Sequence, residues 1–218
     1  MDILQRLDNP EDGFVERKLE GVSSEDIRKT LVAFANSVRE GEEGILFIGV
    51  SDVGELKGVS NTDGLQKTIA KLAENHCYPP ISLTFQVIPH NGKHILAVRV
   101  PPSENKPHFS GQAYVRVGSI SVGASEAMFT DLITSRTDEG RLLLRYRDKG
   151  IEVVLNQIDP TNYPYGMSRT PPCAVVKCDP YYAVFQIGKG RIFSLPVKLI
   201  SIRLDPETGN PLVTEHPK

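Results

Sequence analysis

The sequence predicts an α+β protein: a mixed sheet-and-helix domain followed by a small all-β, barrel-like domain. Three observations predict it. The run Ile45–Val50 is apolar except for Gly49, a length and composition that read as a buried strand. Two helical stripes flank it: Ile27, Leu31, Phe34, Ala35 and Val38 before, and Leu65, Ile69, Leu72 and Ala73 after. Beyond Lys149 the helical period stops, and short strand-like runs alternate with turns rich in Pro and Gly. The boundaries are placed at residues 1–136 for the first domain, 137–149 for a linking helix and 150–218 for the β-domain.

Taken in order, Asn9 to Gly13 makes a turn into a short strand, Phe14–Leu19. Alternation puts Phe14, Glu16 and Lys18 on one side and Val15, Arg17 and Leu19 on the other. Ser23, Ser24, Glu25 and Asp26 supply caps and first-turn acids for a helix running to about Arg39. The central strand ends at Ser51-Asp52-Val53-Gly54, a turn signal that carries a carboxylate. A short partner strand, Glu55–Val59, is expected to leave that turn. Asn61 starts the second helix, and Pro79-Pro80 closes it. Ile81–Ile88 and Lys93–Val100 form a hairpin over Asn91-Gly92. Leu96, Val98 and Val100 share a face, and Arg99 takes the other. Ala113–Ser119 is a further strand with Tyr114 and Arg116 on one side. Ser125 caps a closing helix bearing Met128, Phe129, Leu132 and Ile133. In the tail, Ile151–Ile158, Ala174–Lys177, Tyr181–Ile187, Arg191–Leu195 and Val197–Leu204 read as strands.

Composition narrows the function classes. A formal net charge of −2 gives no global field to draw in nucleic acid, so such binding needs a local patch. Three cysteines, an odd number, argue against a disulfide framework and for a reducing cytoplasm. Cys173 and Cys178 lack a second Cys/His pair and read as buried thiols rather than a zinc site. No run approaches the ~18 apolar residues of a membrane span. The phosphate-cradling Gly-x4-Gly-Lys-Ser/Thr loop does not occur, which leaves an ATPase with the least support.

Several segments stand in an order that carries more than any one of them. Glu11 precedes Phe14-Val15-Glu16-Arg17-Lys18. Ala33-Phe34-Ala35-Asn36 follows on the first helix. Then come Gly44 to Gly54 with Gly58, and the late stretch His108 to Ser119. From roughly Glu11 to Ile133 this set resembles the Schlafen-type Alba-like domain, also called the divergent AAA-4 domain. Two departures stand out: the loop from Asn36 to Gly44 is longer than the usual short Gly-Gly turn, and Arg17 stands where Phe is common. Residues 150–218 fall outside the resemblance.

The resemblance implies a divalent-metal-dependent endoribonuclease acting on structured RNA such as transfer RNA. It implies a three-carboxylate site at Glu11, Glu16 and Asp52, catalytic and metal-holding, with Mg²⁺ or Mn²⁺. Such an ion neutralises the scissile phosphate and activates water, and it takes few protein oxygens. Other members are noncatalytic nucleic-acid-binding regulators or interaction modules, and both readings stay open. Lys18, on the strand face of Glu16, reads as a phosphate contact or as a surface salt bridge. Arg99, Tyr114 and Arg116 are nucleic-acid-binding candidates, since cations beside an aromatic on a sheet suit backbone and base. The ordinary alternative is a half-buried arginine paired to a carboxylate. The expected partners are RNA or DNA, a protein bound through the β-domain, and a second copy in a homodimer; no membrane is expected, and the expected location is cytoplasmic.

Overall fold

A computed structural model describes residues 3–8, 13–147, 149–156 and 169–216 of the protein. Glu11 lies outside the described residues, as does the end of the expected strand Ile151–Ile158. The chain divides into two units, Met1–Phe129 and Thr130–Lys218. The expected boundary region, 137–149, holds a helix, Asp138–Arg145, whose Leu143 is fully buried among residues of the second unit's core.

In the first unit β1 (Val15–Lys18), β2 (Gly44–Ile48), β3 (Thr84–His90) and β4 (Lys93–Val100) form one sheet in the order β1-β2-β4-β3. β1 and β2 are parallel; β4 runs antiparallel to both β2 and β3. Every residue of β2 is buried, because both sheet faces are covered. One face carries Leu46, Ile48, Leu96, Val98 and Val100 under α2 (Ser24–Ser37) and α3 (Thr62–Asn75). The other carries Val15, Ile45, Phe47, Ile95 and Ala97, packed with Leu7 of the short helix α1 (Ile3–Asp8). Fully burying a side chain such as Phe34 or Phe47 stabilises by about 1.5–3 kcal/mol, so the double cover makes β2 the rigid axis of the unit.

Local chemistry sets the element ends. The Ser23 hydroxyl accepts from the Asp26 amide at 3.0 Å and caps α2; the Asn61 side chain accepts from the Gly64 amide at 2.9 Å and caps α3. Asn91 and Gly92 both have positive φ, +47° and +73°, as a two-residue hairpin turn between β3 and β4 requires. Gly44 has a packing reason: a Cβ there would sit 2.4 Å from Cγ of Phe34.

The expected partner strand Glu55–Val59 does not form. Only a single bridge, Val50 to Leu56, links the two arms of the turn. The arms are instead gathered by amides of Lys57 and Gly58 that both donate to the Gly49 carbonyl, at 2.8 and 2.9 Å. Gly49 permits this with φ of +97°; a Cβ would lie 2.8 Å from the Gly58 carbonyl carbon. In this unit α1 goes beyond the sequence expectation, and so does the strand β6 (Ile120–Gly123), which pairs with β5 (Tyr114–Val117) as a two-stranded ribbon. The division between the units falls within α4 (Glu126–Thr134).

The second unit is mostly β, with α5 as the helix already noted at Asp138–Arg145. β8 (Cys173–Cys178), β9 (Tyr182–Ile187) and β10 (Arg191–Pro196) form one antiparallel sheet. β7 (Glu152–Val154), β11 (Ile200–Leu204) and β12 (Pro211–Glu215) form another, in the order β11-β12-β7. A bridge from Ile151 to Cys173 joins the neighbouring edges. Closure into the expected barrel-like form is not seen: among the described residues β10 and β11, at the outer ends, do not pair. A 3-10 turn at Val197–Leu199 separates these two strands in place of a hairpin turn. The core holds Phe185, Ile151, Val153, Ala183 and Val213, all fully buried. The three cysteines are free and buried, and burial pushes the Cys77 and Cys178 thiols up to about 11.

Candidate nucleic-acid interface

The strand register decides which of the candidate residues can meet. Glu16 lies beside Leu46 and Lys18 beside Ile48, so both stand on the helix-covered face of the sheet. Arg99 lies beside Ile45 and therefore on the opposite face. There its guanidinium makes a two-pronged contact with Glu43 of the long loop, at 2.9 and 2.6 Å. That hydrogen-bonded carboxylate also raises the Arg99 pKa. Arg99 does not share a sheet face with Glu16.

Glu16 and Asp52, 36 positions apart, do come together. Both line an open groove of about 320 Å³ with Lys18, Asp26, Lys29 and Ser119. Asp52 sits exposed at the tip of the turn after β2. That turn is tied shut by Ser51: its amide donates to the Glu55 carbonyl at 2.9 Å, and its hydroxyl accepts from the Glu55 amide at 3.1 Å. Glu16, by contrast, is only 8% exposed. One of its oxygens lies 2.5 Å from Lys18 Nζ, and the other accepts from Arg116 Nη1 at 2.7 Å.

Arg116 stands behind the groove lining, with 3% of its side chain accessible against 11% for that of Glu16. Besides Glu16 it donates to the Ser121 hydroxyl at 3.0 Å and to the Ser119 carbonyl at 2.7 Å. Its guanidinium carbon stands 5.1 Å from the centre of the Phe34 ring, a cation–π contact. In this arrangement Arg116 braces Glu16 and the β5–β6 turn and does not face outward, unlike the phosphate contact expected of it. Tyr114 is half-buried against the first core, and Lys29 Nζ lies over its ring at 5.6 Å. The face expected to stack a base is thus covered by a lysine that also lines the groove.

Three further residues of the lining, Asp26, Lys29 and Thr30, are not among the sequence-predicted site residues, Asp26 being expected only as a first-turn acid. Their spacing of i, i+3 and i+4 puts them on one face of α2, next to its apolar stripe, and that spacing was the available signal. Asn36 has a structural role. Its amide nitrogen donates to the carbonyls of His108 and Tyr114 at 3.0 and 2.8 Å, and its oxygen accepts from the His108 amide at 2.7 Å. It thereby fixes β5, and Arg116 with it, against α2. Arg17, the unusual residue of β1, is 5% exposed and donates to the Leu7 carbonyl of α1 at 2.8 Å.

The donor set can be weighed against a divalent cation. Among the described residues no three His, Cys, Asp or Glu side chains gather to hold a metal ion. Both oxygens of Glu16 are already engaged by cations, so a metal there would have to displace Lys18 or Arg116. Glu16 and Asp52 are the two described carboxylates of the expected trio, and Glu11 lies outside the described residues. The groove's exposed charges are mixed, with Lys18 and Lys29 set beside Asp26 and Asp52.

A family model described as Schlafen, AlbA_2 matches residues 11–125, just over half of the chain. Among solved structures, the N-terminal domain of a RecG-related protein from Nitrosomonas europaea is similar over 57% of this chain and 90% of that one. The identity is 24% and the TM-score 0.41. The DIP2311 protein from Corynebacterium diphtheriae is similar over 62% of this chain, at 17% identity and a TM-score of 0.46. The match spans 32% of that protein. At those values neither likeness bears on function. No curated protein matches the chain. No described helix is long and apolar enough to cross a membrane.

Proposed function

Since the chain belongs to the Schlafen, AlbA_2 family, we propose that its first unit binds nucleic acid at the groove between β1, α2 and the Asp52 turn. The observation that carries this reading is the convergence of Lys18 and Lys29 from different elements, with the buried Arg116 supplying Glu16 with its second cation. Each lysine ammonium can pair with a phosphate as a point charge. Because the groove's charges are mixed, the binding is local and shallow in its salt dependence.

The test is fluorescence anisotropy with a labelled 20-nucleotide RNA stem-loop across a range of salt. Lys18→Ala with Lys29→Ala is expected to weaken binding about tenfold and to reduce the salt slope by about 2. An unchanged affinity and slope, with the circular dichroism of the native protein, overturns the groove as the site.

Cleavage of that RNA is the second reading, favoured by Glu16 and Asp52 lining one groove. A metal-dependent endoribonuclease would cut transfer RNA with Mn²⁺ or Mg²⁺ and stop on addition of EDTA. Asp52→Asn would then lose cleavage and keep binding. A protein that binds RNA and leaves it intact with every divalent ion supports the binding module and ends the nuclease reading.

A further inference from the structure

The second unit carries a surface that the groove of the first unit does not explain. Tyr181 and Tyr182 are 75% and 51% exposed, yet their backbone is held on every side. The Asp179 carboxylate accepts from both of their amides, at 2.9 and 2.8 Å, and the Asp179 amide donates to the Tyr182 carbonyl at 3.0 Å. The Tyr181 carbonyl accepts from the Val197 amide at 2.8 Å. Two aromatic rings are thus displayed on a fixed turn, the opposite of what core packing would select.

Pro180, Tyr181, Tyr182, Pro196 and Lys198 line an open groove of about 430 Å³. Tyr182 pairs across the sheet with Pro196, so the two stand side by side in the groove lining. Lys198 is the charged member of that lining, and it is exposed. Lys177 stands beside Val184, two residues from Tyr182 on the same face of the sheet. No acid stands in this lining to offset Lys198. The nearby Asp179 accepts the turn's amides through one oxygen, and its other oxygen lies 3.9 Å from Lys177 Nζ, a loose contact that a phosphate can replace.

We propose that this surface binds single-stranded nucleic acid, with bases stacked on Tyr181 and Tyr182 and the adjoining phosphates paired with Lys198 and Lys177. Rings supply a sequence-tolerant platform, and Lys198, unopposed by any acid in the lining, complements the backbone. A proline-rich peptide suits the rings equally well. The cation in the lining favours the polyanion.

The inference stands apart from the first unit's groove, and its experiment separates the two. Titrate the full chain with labelled oligo(U) and oligo(dT) 12-mers, following anisotropy and intrinsic tyrosine fluorescence. The chain has no tryptophan, so tyrosine emission is read directly. Tyr181→Ala with Tyr182→Ala is expected to weaken binding of either oligomer at least tenfold and to remove most of the quenching. Lys198→Ala should lower the salt slope by about 1. Both tyrosines are exposed, so the variant should keep the native melting temperature. Lys18→Ala with Lys29→Ala should leave the quenching intact even if the first-unit reading fails. Binding that is absent, or that is the same in the tyrosine variant, overturns the proposal. So does tyrosine-dependent binding of an acidic proline-rich peptide without binding of either oligomer.

Discussion

Glu16 and Arg116, one hundred positions apart, are joined by a 2.7 Å ion pair with almost no exposure to solvent on the arginine side. The pair does two things at once. It fixes a groove carboxylate and anchors the β5–β6 ribbon over α2.

Removing one partner should be costly, because it leaves the other charge desolvated. Arg116→Ala is expected to lower unfolding free energy by about 3 kcal/mol, read from urea denaturation. In a double-mutant cycle with Glu16→Gln, the two losses should fall well short of adding. Additive losses would mean that the two side chains do not depend on each other.

Asn36 is the second fixed point. It satisfies both backbone groups of His108 and the carbonyl of Tyr114 from a position only 3% exposed. Asn36→Ala should cost about 2–4 kcal/mol, since several buried polar groups lose partners together. Hydrogen exchange should show early opening at β5, with β2 still protected.

Arg99 offers the contrasting case. Its contact with Glu43 is more than a third exposed on both sides, so Arg99→Ala should change stability by less than about 1 kcal/mol. Because Arg99 lies on the other face of the sheet, RNA affinity at the groove should not change. A tenfold loss in anisotropy would place a second contact surface there.

Asp205 makes a pH prediction. Its carboxyl is held below the ordinary value first by the Glu207 amide, then by the Arg169 guanidinium. A depressed folded-state pKa gives stability that is present above the unfolded value of ~3.9 and lost as pH falls through the folded one. Asp205→Asn should therefore melt below the native protein at neutral pH. The gap should close in the acid range beneath pH ~4, as followed by circular dichroism. A gap independent of pH would assign the effect to the turn's geometry alone.

Much of this architecture was written locally. The unbroken apolar run of β2, the caps at Ser23 and Asn61, the Asn91-Gly92 turn and the alternation along β1 each depend on neighbours in sequence. The face shared by Glu16 and Lys18 follows from a period of two and needs no partner strand. Short elements lacked enough residues to show a period. The six residues of α1, the four of β6 and the five of β12 carry no period that sets them apart from loops.

The groove itself was decided by tertiary structure. Sequence determined that Arg99 and Arg116 each interrupt an apolar strand. It could not say that register would send Arg99 to the far face, toward a loop glutamate, while Arg116 folded inward onto Glu16 and Phe34. Nor could it bring Lys29 across from α2 to stand beside Asp52. Periodicity fixes which side of an element is apolar. Which charge meets which across many residues depends on strand register and on helix packing over the sheet, and those are set only when the whole unit closes around β2.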